Sequence, residues 1–246
     1  MEKTIQTITD WLKRQVHIAH ANGLVVGVSG GLDSAVIANL IKLAFPNNSL
    51  GVILPLKSNP IDIKDAEKVV QACNIHHLTI DLTETHRVMY ETIKQQISNQ
   101  HEWDEEKDRI NDANLRARLR MSTLYSVATN YNYLVVGTDN AAEWYTGYFT
   151  KYGDGGVDLQ PIVDLTKSEV KEMAKHLQVP KEVIEKQPSA DLWIGQTDEE
   201  EMGTTYEKID AFISGQPVPD KDKQIILTMH ERTEHKRNIA TQLRLK

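Results

Sequence analysis

Gly27-Val28-Ser29-Gly30-Gly31-Leu32-Asp33-Ser34 gathers three glycines, two serines and an aspartate in eight residues. It follows the apolar run Leu24-Val25-Val26 and leads into Ala35-Val36-Ile37-Ala38-Asn39-Leu40-Ile41, a spacing that predicts strand, tight turn and helix. The first turn of a helix carries N–H groups without intrahelical partners and the positive end of the macrodipole, so an anion is its natural occupant. Gly30 and Gly31 allow positive φ and close approach of a phosphate, and the hydroxyls of Ser29 and Ser34 add donors. Asp33 would repel a phosphate unless a cation lay between them, which points to a bridging Mg²⁺. The octet lacks the spacing and the lysine of a Walker A loop, so it implies a different nucleotide chemistry.

A second acidic group follows another apolar run. Tyr133-Leu134-Val135-Val136-Gly137 predicts a parallel strand ending in Thr138-Asp139-Asn140-Ala141-Ala142-Glu143. Ligands of open α/β sheets bind at the carboxyl ends of strands, near the point where strand order reverses, so the octet and this segment are expected neighbours. Glu143 is then placed to share a metal with Asp33, because Mg²⁺ takes one or two carboxylates plus phosphate oxygens and water. Thr166-Lys167-Ser168-Glu169 reads as a capping box with Lys167 in the first helical turn, where a cation opposes the dipole and so implies anion contact or mere tolerance. Gly147 to Asp158 is too rich in glycine for a core element and has the makings of a recognition loop.

Other candidates carry less. Arg116, Arg118 and Arg120 recur on one predicted helix but fan over about 200° in total, so one or two at most face a common site. His76 and His77 are adjacent on a predicted strand and point to opposite faces, which disfavours zinc. The single cysteine, Cys73, excludes an internal disulfide and reads as a small buried residue. The charged run from His101 to Asp112 reads as a solvated loop. The net charge of −7 disfavours nucleic acid as a partner, so any further phosphate contacts need a local cluster of cations.

The elements that must hold these residues alternate. The expectation is a helix from about Thr4 to Ala21, the octet strand and its helix, a buried strand Leu50 to Pro55, and a helix from Asn59-Pro60 to about Cys73. A third strand at 77–82, helices at 83–99 and 111–130, and the strand at 133–137 follow. Beyond them lie a helix to about Leu177, an irregular acidic stretch with a second capping box at Thr197, a helix from Tyr206 to Ile213, and a basic tail, Glu234-His235-Lys236-Arg237. The fold class is therefore α/β, a doubly wound parallel sheet flanked by helices, in one domain spanning 1–246. No apolar stretch approaches ~20 residues and the amino terminus lacks a secretory core, so no membrane is involved and the expected location is cytoplasmic.

The octet resembles the S-G-G-x-D-S loop of the ATP pyrophosphatases, which have the adenine nucleotide alpha hydrolase-like fold and cleave ATP between its α and β phosphates. Within that group the chain resembles the ammonia-dependent NAD synthetases. The resemblance is carried by the octet, N-L-R-A-R-L-R-M at 114–121, G-T-D-N-A-A-E at 137–143, T-G-Y-F-T-K-Y-G-D-G-G-V-D-L at 146–159, L-T-K-S at 165–168, P-S-A-D-L at 188–192 and T-E-H-K-R at 233–237. It implies that deamido-NAD attacks ATP through its nicotinate carboxylate, and that ammonia then displaces AMP to give NAD. Gly27, Val28, Ser29, Gly30, Gly31, Leu32, Asp33, Ser34, Thr138, Lys167 and Ser189 would bind ATP as cosubstrate, with Asp33 and Glu143 as Mg²⁺ ligands. Ser189 stands where relatives often have threonine. Arg118, Lys151, Asp158, His235 and Lys236 would bind deamido-NAD. Lys167 would neutralise phosphate charge, and Asp154 would guide ammonium and take its proton.

The resemblance further implies a homodimer with no fused glutaminase domain, and segments 101–112 and 182–203 are candidates for ordering on substrate binding. The rival readings are another ATP pyrophosphatase, acting on a nucleotide or a tRNA, and a non-catalytic adenine-nucleotide sensor. The Gly147 to Asp158 loop and the acidic balance weigh against the first, and retention of both carboxylates against the second.

Overall fold

The computed structural model describes residues 1–189, 197–238, 240 and 242–244. Within the motif at 188–192, residues 190–192 lie outside the described residues, as do 190–196 of the segment 182–203. Four parallel strands, β1 (Gly23–Gly27), β2 (Ser49–Ile53), β3 (His76–Thr79) and β4 (Tyr133–Val135), form one sheet in the order β3-β2-β1-β4. The chain steps outward from β1 through β2 to β3, then returns to place β4 on the other side of β1. That reversal is the switch point where the sequence places its two acidic segments. The register pairs Val26 with Gly51 and Val25 with Val135, and β4 is prolonged by a parallel bridge from Val136 to Leu159.

Strand alternation divides the core between the two faces. Leu24, Val26 and Val28 pack with α1 (Glu2–Ile18), α2 (Leu32–Ala44), α3 (Pro60–Ala72), α7 (Lys167–His176) and α8 (Lys181–Glu185). Val25, Leu50 and Val52 face the opposite layer, where Leu82 opens α4 (Thr83–Asn99) and Leu119, Leu124 and Ala128 come from α5 (Asp108–Tyr131). A third cluster joins α6 (Ala141–Thr146), α10 (Tyr206–Ile213) and α11 (Asp220–Arg232) through Ala142, Tyr206, Ile209 and Ile226.

Local chemistry sets the boundaries. Asn59 Oδ1 accepts the Ile61 N–H at 3.0 Å with Pro60 in the first turn of α3, as its sequence predicts. Thr166 and Glu169 form the reciprocal capping box of α7. At Thr197 only half of the expected box is present among the described residues: its hydroxyl accepts Glu200 N–H at 3.4 Å and caps α9 (Asp198–Met202).

Three expectations need correction. The charged stretch 101–112 is loop only in part, since Glu105–Lys107 forms a 3₁₀ turn and α5 begins at Asp108. Asp104 caps that turn and the Lys94–Asp108 pair at 2.7 Å ties it to α4, so charge here builds local structure. The third strand begins one residue earlier and ends at Thr79, although Ile80 N–H still donates to Ile53 O. The tail is helical: α11 and α12 (Glu234–Arg237) stand where the sequence suggests only a basic extension.

Candidate active site

A cavity of about 780 Å³ opens at the carboxyl ends of β1, β2 and β4. The octet, the Gly137–Asp139 turn, the Lys167 side chain and the α11–α12 junction all line it. Its size is that of a small-molecule site.

The octet wraps around Ser34. The Ser34 hydroxyl donates to Gly31 O at 3.0 Å and accepts Ser29 N–H at 3.2 Å. Its one hydrogen is thus used, so in the 3.1 Å contact between the two hydroxyls Ser29 is the donor. Ser29 Oγ in turn accepts Gly31 N–H at 3.2 Å. Both hydroxyl protons therefore point inward, and the loop is shaped before a ligand arrives.

Gly30 departs from expectation. Its φ is +82°, but it is buried and lies off the cavity wall, and a Cβ there would sit 2.4 Å from Asp62 O. Its bare backbone serves close packing on α3 and does not face a phosphate. Gly31, at φ −92°, lines the cavity and caps α2, so it is the glycine that leaves room for an anion.

Asp33 and Glu143 meet as the topology requires, with a lysine between them. Lys167 Nζ lies 2.5 Å from Asp33 Oδ2 and 3.3 Å from Glu143 Oε1, and all three side chains are largely buried. Asn140 fixes both acids: its Nδ2 donates to Asp33 Oδ1 at 3.0 Å, and its N–H donates to Glu143 Oε2 at 3.1 Å in the capping box of α6. Burial alone would depress the Lys167 ammonium, but the two carboxylates outweigh it and hold the group above the ordinary lysine range. Glu143 is pushed up to about 7, chiefly by burial, with Asp33 adding to the rise and Lys167 opposing it. The anion contact inferred for the start of α7 is internal, because Asp210 accepts the N–H groups of Lys167 and Ser168, each at 3.1 Å. Two carboxylate oxygens converging on one positive charge fit a hard divalent cation. No group of three or more His, Cys, Asp or Glu side chains suited to a metal occurs among the described residues, so phosphate oxygens and water would complete the shell.

Several groups at the site have no counterpart in the sequence reading. Asp139 is 4% exposed, accepts from Gln160 Nε2 at 3.0 Å, and is held well above the usual carboxylate range by burial and by neighbouring Asp154 and Glu143. Its signal was available, for it sits in the turn after β4. Tyr206, 4% exposed, places its hydroxyl 3.0 Å from both Glu143 Oε1 and Asp198 Oδ2, while its ring lies under the Lys167 ammonium at 4.6 Å. It comes from α10, a non-local contact that no spacing in the sequence reveals. The arginine series of α5 does have a counterpart in the sequence: of Arg116, Arg118 and Arg120, Arg120 lines the cavity, and it donates to Leu54 O at 3.2 Å and to Ser58 Oγ at 3.1 Å.

Of the residues carried over for ATP, Gly27, Val28, Ser29, Gly31, Leu32, Asp33, Ser34, Thr138, Lys167 and Ser189 line the cavity. Asp154 lines it too, with Oδ1 accepting Thr150 N–H at 3.0 Å, and enclosure by the protein raises its carboxyl. His235 and Lys236 reach the cavity from α12. Arg118, Lys151 and Asp158 do not line it in this chain. Arg118 is exposed and donates to Lys151 O at 3.4 Å, and Lys151 Nζ donates to the carbonyls of His235 and of Asn238, the latter at 3.1 Å. Asp158 accepts Tyr125 OH at 2.9 Å and Val135 N–H at 2.8 Å, which anchors the recognition loop to β4.

A doubly wound sheet with a serine–glycine turn and two carboxylates at its switch point defines an enzyme of the adenine nucleotide alpha hydrolase-like fold. The chain matches the NAD synthase family over residues 4–240 and belongs to it. It is 56% identical over 239 residues to the NH(3)-dependent NAD(+) synthetase of Alkaliphilus oremlandii, covering 97% of this chain and 96% of that one. The enzyme of the same name from Carboxydothermus hydrogenoformans is 44% identical, covering 97% and 96%. Among solved structures, the NMN synthetase from Francisella tularensis superposes with a TM-score of 0.91 at 40% identity, covering 99% and 98%. The NAD+ synthetase from Burkholderia pseudomallei gives 0.79 at 29%, covering 96% and 89%.

Proposed function

We propose that the cavity carries out ATP-dependent amidation of deamido-NAD by ammonia, giving NAD, AMP and pyrophosphate. The observation that carries this reading is the Asp33–Lys167–Glu143 cluster at the mouth of the serine–glycine turn. A carboxylate is a poor electrophile, and adenylation converts its oxygen into a leaving group. The N–H groups at the start of α2 and the Lys167 ammonium are suited to the phosphates. Lys167 is held charged by its two acids, so it can oppose negative charge that grows as the bond to pyrophosphate breaks. Asp33 and Glu143 would hold Mg²⁺, which supplies charge neutralisation at the phosphates when bound. Asp154, raised by enclosure, is suited to accept a proton from ammonium beside the acyl adenylate, since only neutral ammonia is a nucleophile. His235 and Lys236 would hold the pyridine nucleotide.

The homodimer reading is supported by α4 and the start of α5. Within α4 only His86 is buried, and Val88, Met89 and Ile110 are 50%, 44% and 46% exposed. Arg118 and Lys151, outside the cavity of one chain, would then serve a dinucleotide lying across two copies. Light scattering in solution tests this. A cytoplasmic enzyme in a single domain is part of this reading, and no described helix is long and apolar enough to cross a membrane.

A second acceptor is favoured by one observation, the 0.91 superposition on a structure named an NMN synthetase. The deciding assay supplies ATP, Mg²⁺ and ammonium with either deamido-NAD or nicotinate mononucleotide. Pyrophosphate release that requires deamido-NAD and yields NAD supports the main reading. Preference for the mononucleotide transfers the reading to that substrate, and ATP binding without turnover overturns both.

A further inference from the structure

The short helix α6 spans the site. Its amino-terminal end bears Asn140 and Glu143, and its carboxyl-terminal end meets the tail that presents His235 and Lys236. The last four carbonyls of a helix have no intrahelical donor and must find partners elsewhere. In α6 each finds one. Glu143 O accepts Tyr148 N–H at 2.9 Å, and Thr146 O accepts the Thr233 hydroxyl at 3.0 Å. Trp144 O accepts Gly147 N–H at 3.3 Å and Tyr145 O accepts His230 Nδ1 at 2.8 Å, and Nη1 of Arg237 reaches the same two carbonyls at 3.4 and 3.1 Å.

The same guanidinium holds the tail. Its Nη1 donates to Thr233 Oγ1 at 2.9 Å, and its Nη2 donates to His230 O at 2.5 Å and to Glu234 Oε2 at 2.9 Å. The Arg237 side chain is 9% exposed. One planar cation therefore closes the carboxyl-terminal ends of α6 and α11 together, a position where positive charge complements both helix dipoles. Backbone approach at this junction is close: a Cβ on Gly147, whose φ is +67°, would lie 2.2 Å from Thr233 Oγ1. Lys236, the neighbour of Arg237, donates to Gly147 O at 2.8 Å and Phe149 O at 2.7 Å, so its placement depends on the same register.

We infer that Arg237 is a positioning residue that fixes His235 and Lys236 relative to the phosphate end of the site, using α6 as a strut. The fork geometry matters, since two carbonyls on one helix and one on another are reached from a single rigid plane. The phosphate end of α6 is held independently by the Asn140 capping box and its contact with Asp33. Loss of Arg237 should therefore fall on the pyridine nucleotide and spare ATP. This inference rests on the proposed amidation reaction.

The test compares wild type, Arg237→Lys and Arg237→Met. KM for deamido-NAD is measured at saturating ATP and ammonium, Kd for ATP with Mg²⁺ by calorimetry, and the melting temperature in parallel. The expected result is a rise in KM of at least tenfold in both variants with ATP affinity within twofold of wild type, because the lysine keeps the charge but loses the fork. If KM and ATP affinity weaken in parallel, or if neither moves, Arg237 is a structural cap only and the inference fails. Should Arg237→Met not fold, Arg237→Lys decides by the same criteria. A wild-type protein that does not amidate deamido-NAD defeats the proposed reaction, whereas an active wild type with unchanged variants defeats this inference alone.

Discussion

Cations at the two ends of the cavity are held in different ways. At the phosphate end, Lys167 sits between carboxylates, which keep it charged against the cost of burial. At the tail end, Lys236 on the cavity wall, with Lys151 and Arg237 off it, is anchored largely by backbone carbonyls, the three together using those of 144–149 and 230–238. There burial depresses the Lys236 ammonium, with Asp154 opposing the shift. Charge paired with charge gives an end whose electrostatics change when phosphate or a divalent ion enters. Charge anchored on backbone gives an end whose geometry depends on helix ends staying in register. The first should fail through rate, the second through substrate affinity.

The sharpest way to break this contrast is Lys167→Met. It removes the only cation contacting both Asp33 and Glu143 among the described residues, so turnover should fall by about 10²- to 10³-fold, as when a transition-state donor is deleted. Single-turnover pyrophosphate release reads this directly. A change confined to KM would place Lys167 with the tail end. Asp154→Asn comes next, with a loss of about 10²-fold near neutral pH if Asp154 takes the ammonium proton. Its deficit should shrink as pH rises and free ammonia accumulates. A deficit independent of pH would leave Asp154 as the acceptor of Thr150 N–H and nothing more.

The two ends were also unequally legible in the sequence. The phosphate end is written in local signals: the octet, the Thr166–Glu169 box, and a strand run ending in Thr138 to Glu143. Each sets a short piece of backbone, and the sheet brings the pieces together. The tail end is built from contacts between residues far apart in the chain, such as Lys236 with Gly147 and Phe149, 89 and 87 residues away. Even α11 is poorly marked in the sequence, because Ile225, Ile226 and Leu227 form a contiguous apolar run. Its ends did carry a signal, with Asp220 and Asp222 in the first turn and His230 and Arg232 in the last. Residues such as Tyr206 and Asp210, which serve Lys167 from a separate helix, leave no mark that spacing could reveal.

Within the phosphate end, neighbouring glycines separate folding from function. Gly30→Ala should destabilise the protein by about 1–3 kcal/mol, since it forces a side chain into positive φ against the backbone of α3. Gly31→Ala meets only Ser29 Oγ at 3.3 Å and has an ordinary φ, so its melting temperature should stay near wild type while KM for ATP rises. Thermal melts beside ATP titrations check both. Equal melting temperatures would mean that Gly30 faces ligand space after all.

The smallest expected effect concerns pH, and it lies outside both ends. His86 is fully buried between α4 and α5, stacked on Tyr90 at 5.4 Å, with Asp112 at 3.3 Å and with Lys57 and Arg116 paired to that same aspartate. Burial lowers its pKa below 6.5; Asp112 opposes the shift, and Lys57 and Arg116 reinforce it. Below about pH 6.5 the unfolded chain therefore takes up a proton that the folded chain resists, and stability falls as pH drops from there toward the folded-state pKa. Glu143 and Asp154 have the opposite sign. Their raised pKa values mean that the folded state binds more protons, so their contribution to stability declines as pH rises above the ordinary carboxylate range. Melting curves from pH 8 to pH 5 on wild type and His86→Gln separate the two. The variant should lose less stability than wild type across pH 6.5 to 5. If both lose the same amount, the acid sensitivity belongs to some other group, and the α4–α5 pair carries no proton-linked cost.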